Sequence, residues 1–195
     1  MRIKIGTDST ADIPQEVRER LDINVLPLSV VHEGREYVEC VDIKPKEFYV
    51  TLENCEKIPT SSQVTTQAYV DFYEKTFAAG YTDLIQISLN AKGSGTFQSG
   101  VVAKDLFFEA HPEAAGKFAI HNVDSETYSM LYGHAVIKAA EMARNGASVE
   151  EIIAKVERMV KAVRGVFVPL TLRFVKKSGR VSAAAAFLGD AMGLK

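Results

Sequence analysis

The sequence contains few of the residues that metal centres and catalytic sites most often use. Only two cysteines, Cys40 and Cys55, and four histidines occur in 195 residues, and neither group shows the spacing of metal ligands. We therefore expect no metal site and reduced thiols. A triad of Ser94, His121 and Asp124 is compatible with the order of the chain, but no motif indicates it.

The chain also lacks an excess of charge of one sign and a long apolar run. Its formal net charge is -2 at pH 7, whereas binding to nucleic acid or to an anionic membrane usually depends on a basic surplus. No apolar run approaches the roughly 20 residues that cross a bilayer, and the N-terminal MRIKIGTD has no signal-peptide pattern. These absences predict a cytoplasmic protein without membrane insertion or nucleic-acid binding.

The hydrophobic pattern that is present predicts an α/β fold. With 47% hydrophobic residues the chain can bury a full core. Alternating strands and helices of this length are typical of a three-layer, Rossmann-like parallel sheet, in which ligands bind beyond the carboxyl ends of the strands. Strands are predicted at 2–7, 23–31, 83–89 and 165–170, a strand plus turn at 117–125, and a hairpin around Gly34. Helices are predicted at 14–21, 44–53, 66–79, 101–110, 126–144, 149–163 and from Ser182.

A loop with the sequence KGSGTFQSG, residues 92–100, lies between a predicted strand and a predicted helix. It lacks the glycine and lysine spacing of the phosphate-binding motifs, and no G-x-S-x-G surrounds its serines. The free amides of a helix start and the hydroxyls of Ser94 and Thr96 still suit an anionic oxygen pair. Capping of the next helix by Ser94 or Thr96 explains the same residues without a ligand.

Two other polar segments could likewise either bind a ligand or only close a cap or a turn. PTSSQ, residues 59–63, precedes a helix that Ser62 or Thr65 could cap. Asp8 in the segment DST could hold a metal or close a turn, and the turn is the simpler interpretation. The run of basic residues from Arg173 to Arg180 is typical of a solvated turn, although it could also contact a partner.

Five segments together resemble the DegV family of bacterial lipid-binding proteins. They occur in the family's order over essentially the whole chain, and they read TDSTADIP, PTSSQVT, SGTFQSG, VDSETYSM and LRFVKKSGRVSAAAAFLG. The resemblance implies a two-domain α/β protein, of the EDD fold, with a fatty acid in a tunnel between the domains. It further implies a carrier subunit rather than an enzyme, which presents a long-chain fatty acid such as palmitate to a fatty-acid kinase subunit and needs no other cofactor.

The resemblance also assigns residues. It places Ser61 and Ser94 on the fatty-acid carboxylate, with Ser62, Gly95 and Thr96 as supporting loop residues, and it makes Arg173 and Arg180 candidates for contact with the kinase. A hydrolase or phosphotransferase that uses Ser94 or Asp8 is the alternative.

The resemblance sets the expected domain boundaries as well. We expect residues 1–165 to form the N-terminal domain that binds the lipid carboxylate and residues 166–195 to begin a second α/β domain. Because members of the family continue well beyond the position of Lys195, we expect this second domain to be truncated.

Overall fold

The computed structural model of the protein describes residues 2–166, which divide between two compact units. The first unit runs to Leu28 and resumes at Gln63–Val163, and the second contains Ser29–Ser62 and resumes at Arg164. Within residues 2–166, no helix is long and apolar enough to cross a membrane. The predicted boundary after residue 165 lies at the end of this range and stays a prediction. The predicted strand at 165–170 lies almost entirely outside the described residues, as do the basic turn and the helix from Ser182.

Seven strands and six α-helices make up the described range. In chain order they are β1 (Ile3–Asp8), α1 (Gln15–Arg20), β2 (Ile23–Leu26), β3 (Ser29–His32), β4 (Arg35–Val38), α2 (Pro45–Asn54), β5 (Thr60–Ser62), α3 (Thr66–Ala78), β6 (Asp83–Ser88), α4 (Thr96–Ala110), β7 (Ala119–Asp124), α5 (Met130–Arg144) and α6 (Val149–Ala162). Short 3-10 turns occur at Ser9–Ala11 and Pro112–Ala114.

The first unit is built on a parallel sheet with the strand order β2-β1-β6-β7. The central strand β6 is almost wholly buried, as expected for a parallel strand covered on both faces. One face packs against α5 and α6 through residues such as Tyr132, Ile152 and Val156. The other packs against α3 and α4 through an aromatic group that includes Tyr73 and Phe107. The predicted three-layer α/β architecture is therefore confirmed.

The second unit contains the antiparallel sheet β4-β3-β5 and helix α2 within its described part. The predicted hairpin around Gly34 is confirmed, since β3 and β4 pair and both Glu33 and Gly34 have positive φ angles, of 51° and 78°. A two-residue loop with positive φ at both positions matches the right-handed twist of paired strands.

Two predictions about strands were wrong. The apolar stretch 23–31 is not one strand but two, β2 and β3, which belong to different sheets. Pro27 separates them because proline has no N–H for a sheet hydrogen bond. The polar segment before α3, for which no strand was predicted, contains the short strand β5.

Two helix starts also differ from the prediction. Helix α5 begins at Met130 rather than at residue 126, because Glu126 and Ser129 have positive φ angles of 53° and 58°, which no α-helix accommodates. Helix α4 begins earlier than predicted, at Thr96, so that half of the polar segment 92–100 is helical.

Candidate ligand-binding site

The order of the parallel strands creates a switch point between β1 and β6. From β1 the chain continues to β2 on one side, and from β6 to β7 on the other. Ligands of open α/β sheets bind outside the carboxyl ends of the strands at such a point. Strand β1 ends there at Asp8, and strand β6 ends there at Ser88. Residues 89–95, which connect β6 to α4, are called the β6–α4 loop. Ser94 lies in this loop.

The hydroxyl of Ser94 forms a compact polar group with Thr96. Ser94 is half-buried, and its Oγ accepts a hydrogen bond from the Thr96 backbone N–H over 3.2 Å and lies 2.9 Å from Thr96 Oγ1. Thr96 is fully buried, and its Oγ1 accepts from the N–H of Val64 over 3.3 Å. When the Thr96 hydroxyl donates to Ser94, the proton of Ser94 is left to donate to a ligand.

Gly95 is the N-cap of α4, so no side chain occupies the cap position itself. A β-carbon at this position would collide with the side-chain amide of Gln63, which in turn donates to Ser99 Oγ over 2.8 Å. The predicted cap by Ser94 or Thr96 is thus only partly realised, through the bond from the Thr96 N–H to Ser94. Glycine at position 95 lets the loop lie directly on Gln63.

Asp8 closes the turn that follows β1, as its sequence context predicted. Its Oδ1 accepts hydrogen bonds from the Thr10 N–H, the Thr10 hydroxyl and the Tyr132 hydroxyl, at 3.2, 2.6 and 2.7 Å. Its Oδ2 accepts from the N–H of Leu89 over 2.9 Å. Burial raises the pKa of Asp8, and these hydrogen bonds oppose that shift.

Ser61 and Ser62 belong to the second unit and therefore not to the unit that contains Ser94. Both are exposed on β5, where they pair with Val30 and Ser29 of β3. The residue that caps α3 is Thr65, whose hydroxyl accepts from the N–H of Ala68 over 3.2 Å, so the alternative cap by Ser62 is excluded.

The three residues of the hypothetical triad each have other partners. His121 Nε2 lies 3.4 Å from Asp83 Oδ1. Asp124 accepts from the N–H groups of Ala91 and Glu126, and Ser94 is engaged with Thr96 as described above. No cluster of three or more histidine, cysteine, aspartate or glutamate side chains suited to a metal occurs within residues 2–166. Arg173 and Arg180 lie outside the described residues.

Neither Tyr132 nor the contact of Asp124 with the β6–α4 loop was predicted from the sequence. Tyr132 is fully buried in α5 and donates to Asp8, 124 residues away in the chain. Burial and the neighbouring carboxylate both raise its pKa, so it remains a hydroxyl donor at neutral pH. An aspartate at the end of each strand that flanks β6, Asp8 of β1 and Asp124 of β7, was the one available signal in the sequence.

Comparison with known proteins identifies relatives over the whole chain. The model of the protein family described as "Uncharacterised protein, DegV family" matches residues 2–195 of the chain. The chain is 35% identical over 196 residues to Protein DegV of Bacillus subtilis, covering 100% of this chain and 66% of that protein. It is also 35% identical over 189 residues to a DegV domain-containing protein of Clostridium perfringens, covering 97% and 65%.

Solved structures of similar proteins share the fold. The crystal structure of DegV from Bacillus subtilis, described as a fatty acid binding protein, matches with a TM-score of 0.84 at 35% identity, over 97% of this chain and 64% of that one. A DegV family protein from Thermus thermophilus, described by its fatty acid binding, matches with a TM-score of 0.79 at 31% identity, over 97% and 64%. The chain therefore spans slightly less than two thirds of the length of these relatives.

Proposed function

Because the chain belongs to the DegV family, we propose that it binds a long-chain fatty acid such as palmitate and holds the carboxylate through serine hydroxyls. Ser94 is the first of these and Ser61 the second. The relatives described as fatty acid binding proteins support this ligand class.

The observation that carries the proposal is the position and hydrogen bonding of Ser94. It lies in the loop after β6, at the switch point where ligands of such sheets bind. Its oxygen accepts the N–H of Thr96 and lies 2.9 Å from the Thr96 hydroxyl, and when that hydroxyl donates to Ser94, the proton of Ser94 is left for a carboxylate oxygen. In that arrangement the half-buried Ser94 hydroxyl donates to the ligand.

Neutral hydroxyls suit a carboxylate that must react later. A carboxylate leaves water at a high cost unless hydrogen bonds replace its hydration, and serine hydroxyls supply these without a positive charge. Ser61 is exposed on β5 and thus accessible to a ligand. The affinity would come mainly from the acyl chain, since each buried methylene contributes about 0.8 kcal/mol.

We further propose that the bound carboxylate is presented to a separate kinase subunit in the cytoplasm. One carboxylate oxygen attacks the terminal phosphorus of a nucleoside triphosphate, a C–O–P linkage forms, and the bond from that phosphorus to the leaving nucleoside diphosphate breaks. In this arrangement the chain supplies a held nucleophile and not a catalytic group. Arg173 and Arg180 are the residues that we propose for contact with the kinase.

Binding should be tested with the purified chain and with Ser94→Ala and Ser61→Ala variants. Loss of a hydrogen bond to a charged group costs about 1.5–3 kcal/mol, so we expect each variant to raise the Kd for palmitate roughly 10- to 100-fold. Ser148→Ala, which removes a helix cap away from the loop, serves as the control for general destabilisation. Absence of palmitate binding by the wild-type chain, or unchanged Kd in both variants, would contradict the proposal.

The carrier role has its own test. Acyl phosphate can be trapped with hydroxylamine as a hydroxamate after incubation with palmitate, a nucleoside triphosphate and a fatty-acid kinase subunit. We expect hydroxamate only when the chain and the kinase subunit are both present. Hydroxamate formed by the chain alone, or ester hydrolysis that Ser94→Ala abolishes, would favour the alternative of a serine- or aspartate-dependent enzyme.

A further inference from the structure

Two aspartates, at the ends of the two strands that flank β6, accept hydrogen bonds from the backbone of the β6–α4 loop. We infer that Asp8 and Asp124 are positioning residues that fix the direction of the Ser94 hydroxyl, an inference that rests on the proposed function of Ser94. Asp8 ends β1 and Asp124 ends β7, the two strands that flank β6. They bind alternate amides of the loop, those of Leu89 and Ala91.

Asp8 connects the first residue of the loop to two other elements. Its Oδ2 accepts from the N–H of Leu89 over 2.9 Å, and its Oδ1 accepts from Thr10 and from Tyr132 of α5. Four donors converge on one carboxylate that is wholly inaccessible to solvent. A buried acceptor satisfied in this way can move only if several hydrogen bonds break together, so it holds Leu89 firmly.

Asp124 holds the third residue of the loop from the other side. Its Oδ1 accepts from the N–H of Ala91 over 3.1 Å and from that of Glu126 over 2.9 Å. Asn90 lies between Leu89 and Ala91. Its backbone N–H donates to the carbonyl of Thr127 over 3.0 Å, and its side-chain amide donates to the carbonyl of Glu126 over 3.1 Å. The loop is therefore attached to the ends of both flanking strands.

A turn and a close backbone contact connect the residues held by the two aspartates to Ser94. The N–H of Gly93 donates to the carbonyl of Asn90 over 3.0 Å, which closes a turn that begins at Asn90. A β-carbon on Gly93 would collide with the hydroxyl of Tyr128, so the backbone lies against that side chain. Beyond Ser94, Thr96 is bound to Val64, so the loop is fixed at both ends.

The two carboxylates differ in a way that permits a sharp test. Both hydrogen bonds that Asp124 accepts from described residues end on Oδ1, so asparagine with its oxygen at that position keeps them. Asp8 accepts on both oxygens, so asparagine must place an N–H₂ group against a donor, either Leu89 or the Thr10 and Tyr132 side. Asp124→Asn should therefore be tolerated, whereas Asp124→Ala and Asp8→Asn should release the loop.

The experiment combines palmitate affinity with hydrogen exchange of the loop amides in the full chain. We expect Asp124→Ala to weaken binding about 5- to 30-fold and to speed exchange at residues 89–95, and we expect Asp124→Asn to match the wild type in both. Asp22→Asn is the matched control, because Asp22 bonds to Lys4 and Tyr81 and not to the loop. Asp8→Asn provides the second variant, scored only at temperatures where it is folded.

A double-mutant cycle with Ser94→Ala separates positioning from general destabilisation. If Asp124 acts through Ser94, the effect of Asp124→Ala on the Kd should largely disappear in the Ser94→Ala background. Fully additive effects, or a loss with Asp124→Asn equal to that with alanine, would overturn the inference. If the wild type does not bind palmitate, the proposed function fails. The attachment of the loop to Asp124 is then tested by hydrogen exchange alone, and unchanged exchange of the amides at residues 89–95 in Asp124→Ala refutes it.

Discussion

Gly133 of α5 faces the backbone carbonyl of Ala11 so closely that a β-carbon at position 133 would collide with that oxygen. Ala11 is fully buried in the 3-10 turn that follows β1, and Gly133 is buried as well. The close approach brings α5 against the turn that contains Ser9–Ala11, and so places Tyr132 within reach of Asp8. A glycine that is unfavourable for a helix is thus required by the packing of that helix.

Replacement of Gly133 by alanine should destabilise the protein although alanine favours helices. The backbone of Ala11 has to move, and overpacking of this kind costs about 1–3 kcal/mol. Chemical denaturation should therefore show a lower midpoint for Gly133→Ala. His134→Ala, at the exposed neighbouring position, should be neutral or slightly stabilising. A higher midpoint for Gly133→Ala would contradict the close packing.

Removal of the Tyr132 hydroxyl should lower the stability of the protein while the aromatic ring stays in place. Tyr132→Phe leaves the buried Asp8 carboxylate without one of its four donors, at a cost of about 1–3 kcal/mol in the free energy of unfolding. Tyr128→Phe changes the same group at a residue that is 46% exposed and should have little effect. Equal stability of the two variants in urea would show that the bond to Asp8 is of no consequence.

Stability should depend on pH through His111. Its imidazole lies 3.2 Å from Glu74 and 3.1 Å from Glu113, and these hydrogen bonds raise the pKa of His111 above its usual value of 6.5. A pKa raised by folding means that the contribution to stability is complete below about pH 6.5 and is lost as pH rises through the folded value.

The effect of His111 can be measured directly. An NMR titration should give a pKa above 6.5 for His111 and a lower one in Glu74→Gln. The difference in unfolding free energy between wild type and His111→Gln should shrink as pH rises above 6.5. A difference in unfolding free energy that grows with pH would contradict a raised pKa for His111.

The capping box of α6 should contribute measurably to stability. Ser148 Oγ accepts from the N–H of Glu151 over 3.2 Å, and Glu151 Oε2 accepts from the N–H of Ser148 over 2.9 Å. Ser148→Ala should cost about 0.5–2 kcal/mol, whereas Ser148→Asp should restore most of it. Thermal unfolding of the three proteins checks this, and an alanine variant as stable as wild type would refute it.

Elements set by neighbouring residues were predicted well. The predicted helix at 149–163 corresponds to α6, and the predicted strand at 83–89 corresponds to β6, because the periodicity or apolar run that indicates each lies within one short segment. The hairpin around Gly34 was equally local, because its two-residue loop depends only on positive φ angles at Glu33 and Gly34.

Pairing over long distances was not predictable in the same way. The sequence shows Pro27 but not that β2 and β3 join different sheets, and it shows three polar residues at 60–62 but not that they pair with β3. The same holds for the bonds of Asp8 to Leu89 and Tyr132, which span 81 and 124 residues. Sheet membership and buried polar contacts depend on which surfaces meet in the folded chain.

The α/β class, most of the helices and strands, and the family resemblance follow from the sequence alone, because periodicity, caps and motif order are properties of short segments. It takes the folded chain to bring the carboxyl ends of β1, β6 and β7 together around the β6–α4 loop, where Asp8 and Asp124 bind the loop amides. Hydrogen bonds act over about 3 Å, and no local pattern reports which distant groups come within that distance.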